Sequence, residues 1–119
     1  MTTDEYSEGP RFVDMGILEK TDHETCKKML ARLSKGLAHP ARIEIIRMLS
    51  DKAPEKPYIC SDIVKALPLA QASVSQHLKI LKETGWVYGE NDGPRIKCSL
   101  VGNIMEFYRK LTIQAVQKQ

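Results

Sequence analysis

Between Gln71 and Gly85 the sequence reads QASVSQHLKILKETG, and its polar residues are of types that contact DNA bases. At about 100° per residue, Val74, Leu78 and Leu81 fall in one narrow sector of a helix, which we expect to be buried. The other side and the first turn carry amide, hydroxyl and ammonium groups, on Gln71, Ser73, Ser75, Gln76 and Lys79. Glutamine pairs with adenine, serine bonds to most bases, and lysine suits a phosphate or a guanine. The pattern predicts either base reading or an ordinary solvated helix face.

The three cysteines, Cys26, Cys60 and Cys98, are the other residues with the potential for chemistry. Thiolates bind soft metals and metalloids, and neighbouring thiols can oxidise together. The alternative is that all three are small buried apolar residues, since Cys26 lies on an apolar helical stripe and Cys98 on the apolar side of a strand. Their separation along the chain is wide, so a shared site depends on the fold.

The composition predicts one globular domain with a basic body. The chain has 119 residues, of which 42% are hydrophobic and 28% charged, and no apolar run approaches the ~20 residues of a membrane span. We expect a cytoplasmic protein, because the acidic start has neither a basic leader nor an apolar block. Residues 1–20 carry a net charge of −3 and residues 21–119 a net charge of +6. The first segment is interpreted as a flexible acidic arm and the second as a domain suited to a polyanion.

The first half of that domain is predicted to be helical. TDHE, which starts at Thr21, has the form of a capping box, and an apolar stripe follows at Cys26, Leu30, Leu33 and Leu37. In HPARIEIIRMLSD, Pro40 suits a first helical turn, and Ile43, Ile46 and Leu49 are expected to point inward. The loop KAPEKP ends this second helix.

The next elements have the proportions of a helix-turn-helix. YIC is a short β-prone segment, and SDIVKAL predicts a two-turn helix that begins at a Ser or Asp cap and turns Ile63, Ala66 and Leu67 to one face. Pro68 blocks its continuation, and the helix at Gln71 follows after a tight turn. Among the histidines, His39 is interpreted as a helix-entry residue, His77 as a half-buried packing residue and His23 as a solvated one, and none is assigned a metal.

The end of the chain predicts a β-hairpin and a final helix. WVYG and RIKCSL flank ENDGP, whose Asp-Gly is a hairpin turn signal. Alternation in the second strand turns Arg95 and Lys97 outward, where they can reach a DNA backbone or minor groove. The final helix has apolar residues at Ile104, Phe107, Tyr108, Leu111 and Ala115. The order α, α, short β, α, α, β-hairpin, α predicts a mainly α winged helix-turn-helix, and this context favours the DNA interpretation of residues 71–79.

Three segments of the chain resemble a known family. LAHPARIEIIRMLS, SDIVKALPLAQASVSQHLKILKETGWV and NDGPRIKCSL are similar to the ArsR/SmtB family of bacterial metalloregulatory repressors, over roughly residues 25–113. The resemblance implies a homodimer formed by the first and last helices, an inverted-repeat operator in double-stranded DNA, and release by an effector. One departure is Ala70, where the family often has a serine, so a helix-capping hydrogen bond is expected to be absent or supplied otherwise.

The family's usual metal motifs are not present as they stand. In YICSDIV, Ile59 and Ser61 occupy the positions of the family's two thiols, with Cys60 between them, and the last helix lacks the histidines of the zinc-sensing branch. A winged helix pairs its short first strand with the returning wing strand, which brings Cys60 near Cys98, with neighbouring Cβ atoms about 5 Å apart. Cys26 completes a three-thiolate site only if the first helix or a second subunit carries it there.

We therefore expect a non-enzymatic DNA-binding repressor that needs no cofactor and responds to a thiol-reactive effector. Trivalent arsenic is the first hypothesis for that effector and dithiol oxidation the second, both acting at the Cys60 and Cys98 pair. A winged helix used only for protein contacts is a further alternative. An enzyme is disfavoured because no phosphate loop, carboxylate pair or metal-ligand spacing is present.

Overall fold

A computed structural model describes residues 11–51 and 58–117. A short 3₁₀ helix, Met15–Lys20, precedes five α-helices and a three-stranded antiparallel sheet. The helices are α1 His23–Gly36, α2 Pro40–Ser50, α3 Cys60–Ala66, α4 Gln71–Thr84 and α5 Ile104–Val116. The strands are β1 Tyr58–Ile59, β2 Val87–Asp92 and β3 Arg95–Leu100, in the order β1, β3, β2. The predicted winged helix-turn-helix is confirmed. The loop KAPEKP is residues 52–57 and lies outside the described residues.

Local sequence explains where the first two helices begin. The α1 cap is Asp22, which accepts a hydrogen bond from the Thr25 backbone N–H at 3.2 Å, and so the capping box predicted at Thr21 is wrong. Pro40 occupies the first turn of α2 as predicted, and His39 caps that helix by accepting from the Ala41 N–H at 3.0 Å. Each of these side-chain acceptors pairs with a backbone N–H that the first turn of the helix leaves without a partner.

The helix-turn-helix has no side-chain caps at its two helix starts. The predicted Ser or Asp cap of α3 is wrong, because the helix begins one residue earlier, at Cys60, and its cap residue is Ile59. Ala70 precedes α4 without a capping side chain, as its departure from the family pattern suggested. At the other end, Gly85 ends α4 with a φ of 101°, a left-handed conformation that glycine adopts at little cost.

The wing, which is the hairpin of β2 and β3, turns one residue later than predicted. Asp92 pairs with Arg95, so the two-residue loop is Gly93 and Pro94 rather than Asp92 and Gly93. Gly93 has a φ of 63°, which supplies the positive dihedral that such a tight turn requires. On the other edge of β3, Tyr58 pairs with Cys98.

The core lies between the helices and the inner face of the sheet. α1 packs against α5, while α1, α2 and α3 all contact α4. Two predicted core positions are wrong: Ile43 is 52% exposed while its neighbour Ile45 is fully buried, and Ala66 is also exposed. The largest wholly buried side chains are Trp86, Ile45, Ile63, Leu81, Leu111, Val74, Cys26 and Cys98.

The part of the acidic arm that the structure describes makes contacts with the body. Residues 11–13 lie beside Gly102, and the Val13 N–H donates to the Gly102 carbonyl at 2.9 Å. Leu18 is only 6% exposed, and Gln114 of α5 donates to its carbonyl at 2.6 Å. Residues 11–20 are therefore held to the body at these points, and the expected flexibility of the arm stays a prediction. Residues 1–10 lie outside the described part.

Within residues 11–51 and 58–117, none of the helices combines the length and the apolar character needed to cross a bilayer.

Candidate nucleic-acid interface and cysteine pair

α4 presents the predicted polar side chains to solvent. Val74, Leu78 and Leu81 are buried, as their spacing predicted. The opposite side is exposed at every position that we singled out, namely Gln71, Ser73, Ser75, Gln76 and Lys79. In the described part of the chain no ion pair engages Lys79. The face is thus free to offer hydrogen-bond donors and acceptors and one positive charge.

A buried arginine holds α4 in place, and sequence analysis missed it. Arg42 is 8% exposed and donates to the Gly36 and Lys35 carbonyls at 3.0 and 3.1 Å, which tie it to the end of α1. Its third nitrogen lies 3.1 Å from Nδ1 of His77 on α4. The available signal was an arginine in the otherwise apolar first half of PARIEII, but the pattern did not tell whether it faced inward.

His77 is the half-buried residue that its helical position predicted. Its ring lies 4.3 Å from that of His39, measured between ring centroids. Burial, followed by the nearby His39 and Arg42, holds the pKa of His77 below its ordinary value. The neutral ring can then accept a hydrogen bond from the Arg42 guanidinium.

A groove of about 1020 Å³ separates α4 from the wing. Its charged lining residues are Arg32, Lys65, Lys79, Lys82 and Glu83. Four positive groups against one negative group leave a net charge of +3 along this lining. Arg32 also donates to the Glu83 backbone carbonyl at 3.1 Å, which fixes the end of α4 to α1. Arg32, Lys65 and Lys82 were not singled out from the sequence, because they come together only in three dimensions.

The two basic residues of the wing differ in their surroundings. Arg95 is exposed next to the turn. Lys97 lies 3.9 Å from Asp92, and its side chain is 37% exposed. Arg95 is therefore the stronger candidate for a phosphate contact, while Lys97 first has to leave a loose ion pair.

Cys60 and Cys98 are joined as a disulfide, with Cα atoms 5.3 Å apart. The proximity that strand pairing predicted is therefore found. The bond links the first residue of α3 to the central strand of the sheet, and so it connects the helix-turn-helix to the wing. Cys98 is fully buried and Cys60 half-buried.

Cys26 does not join this pair. It is fully buried in α1, where Gln114 of α5 donates to its sulfur at 3.3 Å. Across the described ranges there is no group of three or more His, Cys, Asp or Glu side chains arranged to hold a metal ion. Within one subunit Cys26 is thus a buried residue of the α1 and α5 contact rather than a third thiolate.

The fold and the exposed polar face of α4 are those of a winged helix-turn-helix protein. Residues 39–88 match the family model described as "Bacterial regulatory protein, arsR family". Residues 39–88 are therefore similar to the helix-turn-helix of that family, in agreement with the resemblance seen in the sequence. The matched model describes regulatory proteins, which agrees with the expectation of a non-enzymatic regulator.

Relatives found by sequence comparison agree with this similarity. Over 64 residues the chain is 42% identical to proteins named HTH-type transcriptional repressor SmtB from two Mycobacterium tuberculosis strains, a segment of 54% of this chain and 44% of each relative. The alignment thus spans less than half the length of those proteins.

Solved structures support the fold. A crystal structure of an ArsR family transcriptional regulator gives a TM-score of 0.61 at 21% identity, over 77% of this chain and 90% of that one. A homodimeric winged helix-turn-helix DNA-binding domain from Mycobacterium bovis gives 0.59 at 22% identity, over 78% and 82%.

Proposed function

We propose that this protein is a transcriptional repressor that binds an inverted-repeat operator in double-stranded DNA as a homodimer. The observation that carries the proposal is the exposed polar face of α4 beside a groove of net positive charge. In helix-turn-helix proteins such a helix enters the major groove and its first residues contact base edges. The repressor name of the SmtB relatives supports the same function.

DNA binding is tested by fluorescence anisotropy with the duplex upstream of the protein's own gene and a scrambled duplex. Gln76→Ala should weaken operator binding by about tenfold or more and leave scrambled DNA nearly unaffected, because an amide reads bases. Lys79→Ala should weaken both, and Lys20→Ala, outside the groove, should change neither. Affinity should fall by roughly 10³-fold between 50 and 200 mM salt if about six phosphates are neutralised. Equal binding of wild type and all variants would reject this interface.

Homodimerisation is supported by the two-sided apolar character of α5. One side is buried in the subunit through Ile104, Phe107 and Leu111. A second set of apolar side chains is exposed within a sector of about 80°, at Met105, Ile113 and Val116, and Arg109 lies in the same sector. A helix with apolar residues on both sides is expected to be covered on both. A second copy of α5 is the occupant that the proposal requires.

We further propose that an effector acts at Cys60 and Cys98. The disulfide supports dithiol oxidation, whereas trivalent arsenic would bind the same two sulfurs after reduction. Either event changes the link between α3 and the wing. Two half-sites about one helical turn apart must be contacted together, and so a small shift of α4 against the wing is enough to release DNA.

The effector is tested on reduced protein bound to its operator. Arsenite or peroxide is titrated separately against wild type and against Cys60→Ser/Cys98→Ser, and anisotropy reports release. The expected result is release of wild type alone. If the double variant also dissociates, the cysteine site is rejected while the DNA-binding function stands.

A further inference from the structure

The two cysteines of the disulfide lie in different environments. Cys98 exposes no surface, although it borders a smaller cavity of about 410 Å³. Cys60 is half-buried and lines the groove between α4 and the wing. A reagent in solvent can therefore approach Cys60 through the groove, whereas Cys98 is wholly buried.

The same groove carries the residues proposed to bind DNA. Cys60 shares the lining with Gln71, Ser75 and Lys79, and the charged groups along it sum to +3. A cationic channel concentrates anions and repels cations near its walls. Both a phosphate backbone and a small anionic reagent are thus attracted to the place from which Cys60 is reached.

We propose that Cys60 is the reactive cysteine of this protein, that small anionic thiol-modifying reagents reach it through this groove, and that bound DNA shields it. The shielding rests on the proposed function, whereas the reactivity and the charge preference do not. When an external thiolate attacks the Cys60 sulfur, a mixed disulfide forms there and the bond to Cys98 breaks. Cys98 leaves as a thiolate and takes a proton from water. A second external thiolate then releases Cys60 as a thiolate and forms the external disulfide.

Reactivity is measured on full-length variants with one thiol each. Cys26→Ala/Cys98→Ser retains Cys60, and Cys26→Ala/Cys60→Ser retains Cys98. Each is treated with an anionic and a cationic methanethiosulfonate, sulfonatoethyl and trimethylammonioethyl, and the rates are divided by those of free 2-mercaptoethanol. The thiolate displaces methanesulfinate and forms a mixed disulfide, which is counted by mass spectrometry.

We expect Cys60 to react at least tenfold faster than Cys98. We also expect its normalised rate to favour the anionic reagent severalfold at low salt, and this preference to vanish in 0.5 M salt because the charges are screened. Lys65→Gln/Lys79→Gln should reduce the preference, whereas Lys20→Gln should keep it. Circular dichroism of every variant identifies any that does not fold, and the wild-type disulfide provides the check that does not depend on substitution.

That check treats oxidised wild type briefly with 2-mercaptoethanesulfonate, quenches with acid and locates the mixed disulfide by peptide mapping. Finding it on Cys60 supports the proposal, and finding it on Cys98 overturns it. Saturating operator DNA should slow the reaction of Cys60 by about tenfold. Full reactivity with DNA bound overturns the shielding, whereas failure to bind any DNA rejects the proposed function and leaves the reactivity result intact.

Discussion

At the residue scale, Arg42 joins three elements through its guanidinium. Arg42→Met should lower the free energy of unfolding by about 3 kcal/mol, because one buried carbonyl, one part-buried carbonyl and the His77 nitrogen lose their donor. Urea unfolding measures the loss. Arg47→Met is the matched control in the same helix, since Arg47 is exposed and forms surface ion pairs with Glu44 and Asp51. Similar losses in both variants would contradict the role of Arg42.

His77 should make stability depend on pH in a defined window. Its folded-state pKa lies below the ordinary 6.5, and so the unfolded chain binds the proton first as the pH falls. The free energy of unfolding is therefore fully retained above pH 6.5 and decreases as the pH drops from 6.5 through the folded pKa. The pKa values of Asp22, Glu44 and Glu106 are lowered from already acidic values, and these groups lose their stabilisation at lower pH.

The measurement for His77 is urea unfolding at several pH values between 7.5 and 5.5. His77→Gln should flatten the decline, whereas His23→Gln, at an exposed position, should leave it unchanged. A decline that is identical in all three proteins would assign the pH dependence to other groups.

At the element scale, α1 approaches the start of β2 closely at Gly36. A Cβ added there would lie 2.5 Å from Cδ1 of Trp86 and 2.7 Å from Oγ1 of Thr84. Trp86 is wholly buried and donates to the Leu33 carbonyl at 2.7 Å, so it has no room to move. Gly36→Ala should therefore destabilise the protein by about 2–3 kcal/mol despite the better helix propensity of alanine.

Thermal unfolding compares this variant with Lys28→Ala, an exposed position of the same helix, which should be near neutral. A gain of stability in Gly36→Ala would contradict the close contact between Gly36 and Trp86.

At the scale of the whole molecule, the exposed stripe of α5 should control assembly. Ile113→Glu/Val116→Glu places charges on that stripe and should give a monomer with at least tenfold weaker operator binding, since two half-sites are no longer held together. Size-exclusion chromatography with light scattering measures the mass. Lys110→Glu, on the same helix outside the stripe, should stay dimeric. A dimer in both variants would move the interface elsewhere.

Local patterns in the sequence predicted most of the architecture. The spacing of Val74, Leu78 and Leu81 identified the buried side of α4, and Gly85 marked its end, because helical periodicity and left-handed glycine are properties of a few adjacent residues. The same logic predicted the hairpin but misplaced its turn by one residue. It failed for Ile43 and Ile45, since α2 has apolar residues on more than one side and only its neighbours decide which side is covered.

The sequence by itself determined the order of the elements and the polar face of α4, because helix periodicity and turn residues act over a few adjacent positions. The meeting of Cys60 with Cys98, 38 residues apart, followed only once the pairing of β1 with β3 was assumed. Only the tertiary structure decided that Arg42 is buried, that four cations line one groove, that Cys60 is more accessible than Cys98 and that residues 11–20 are packed on the body. These features depend on distances between segments far apart in the chain, and packing of the whole domain sets those distances.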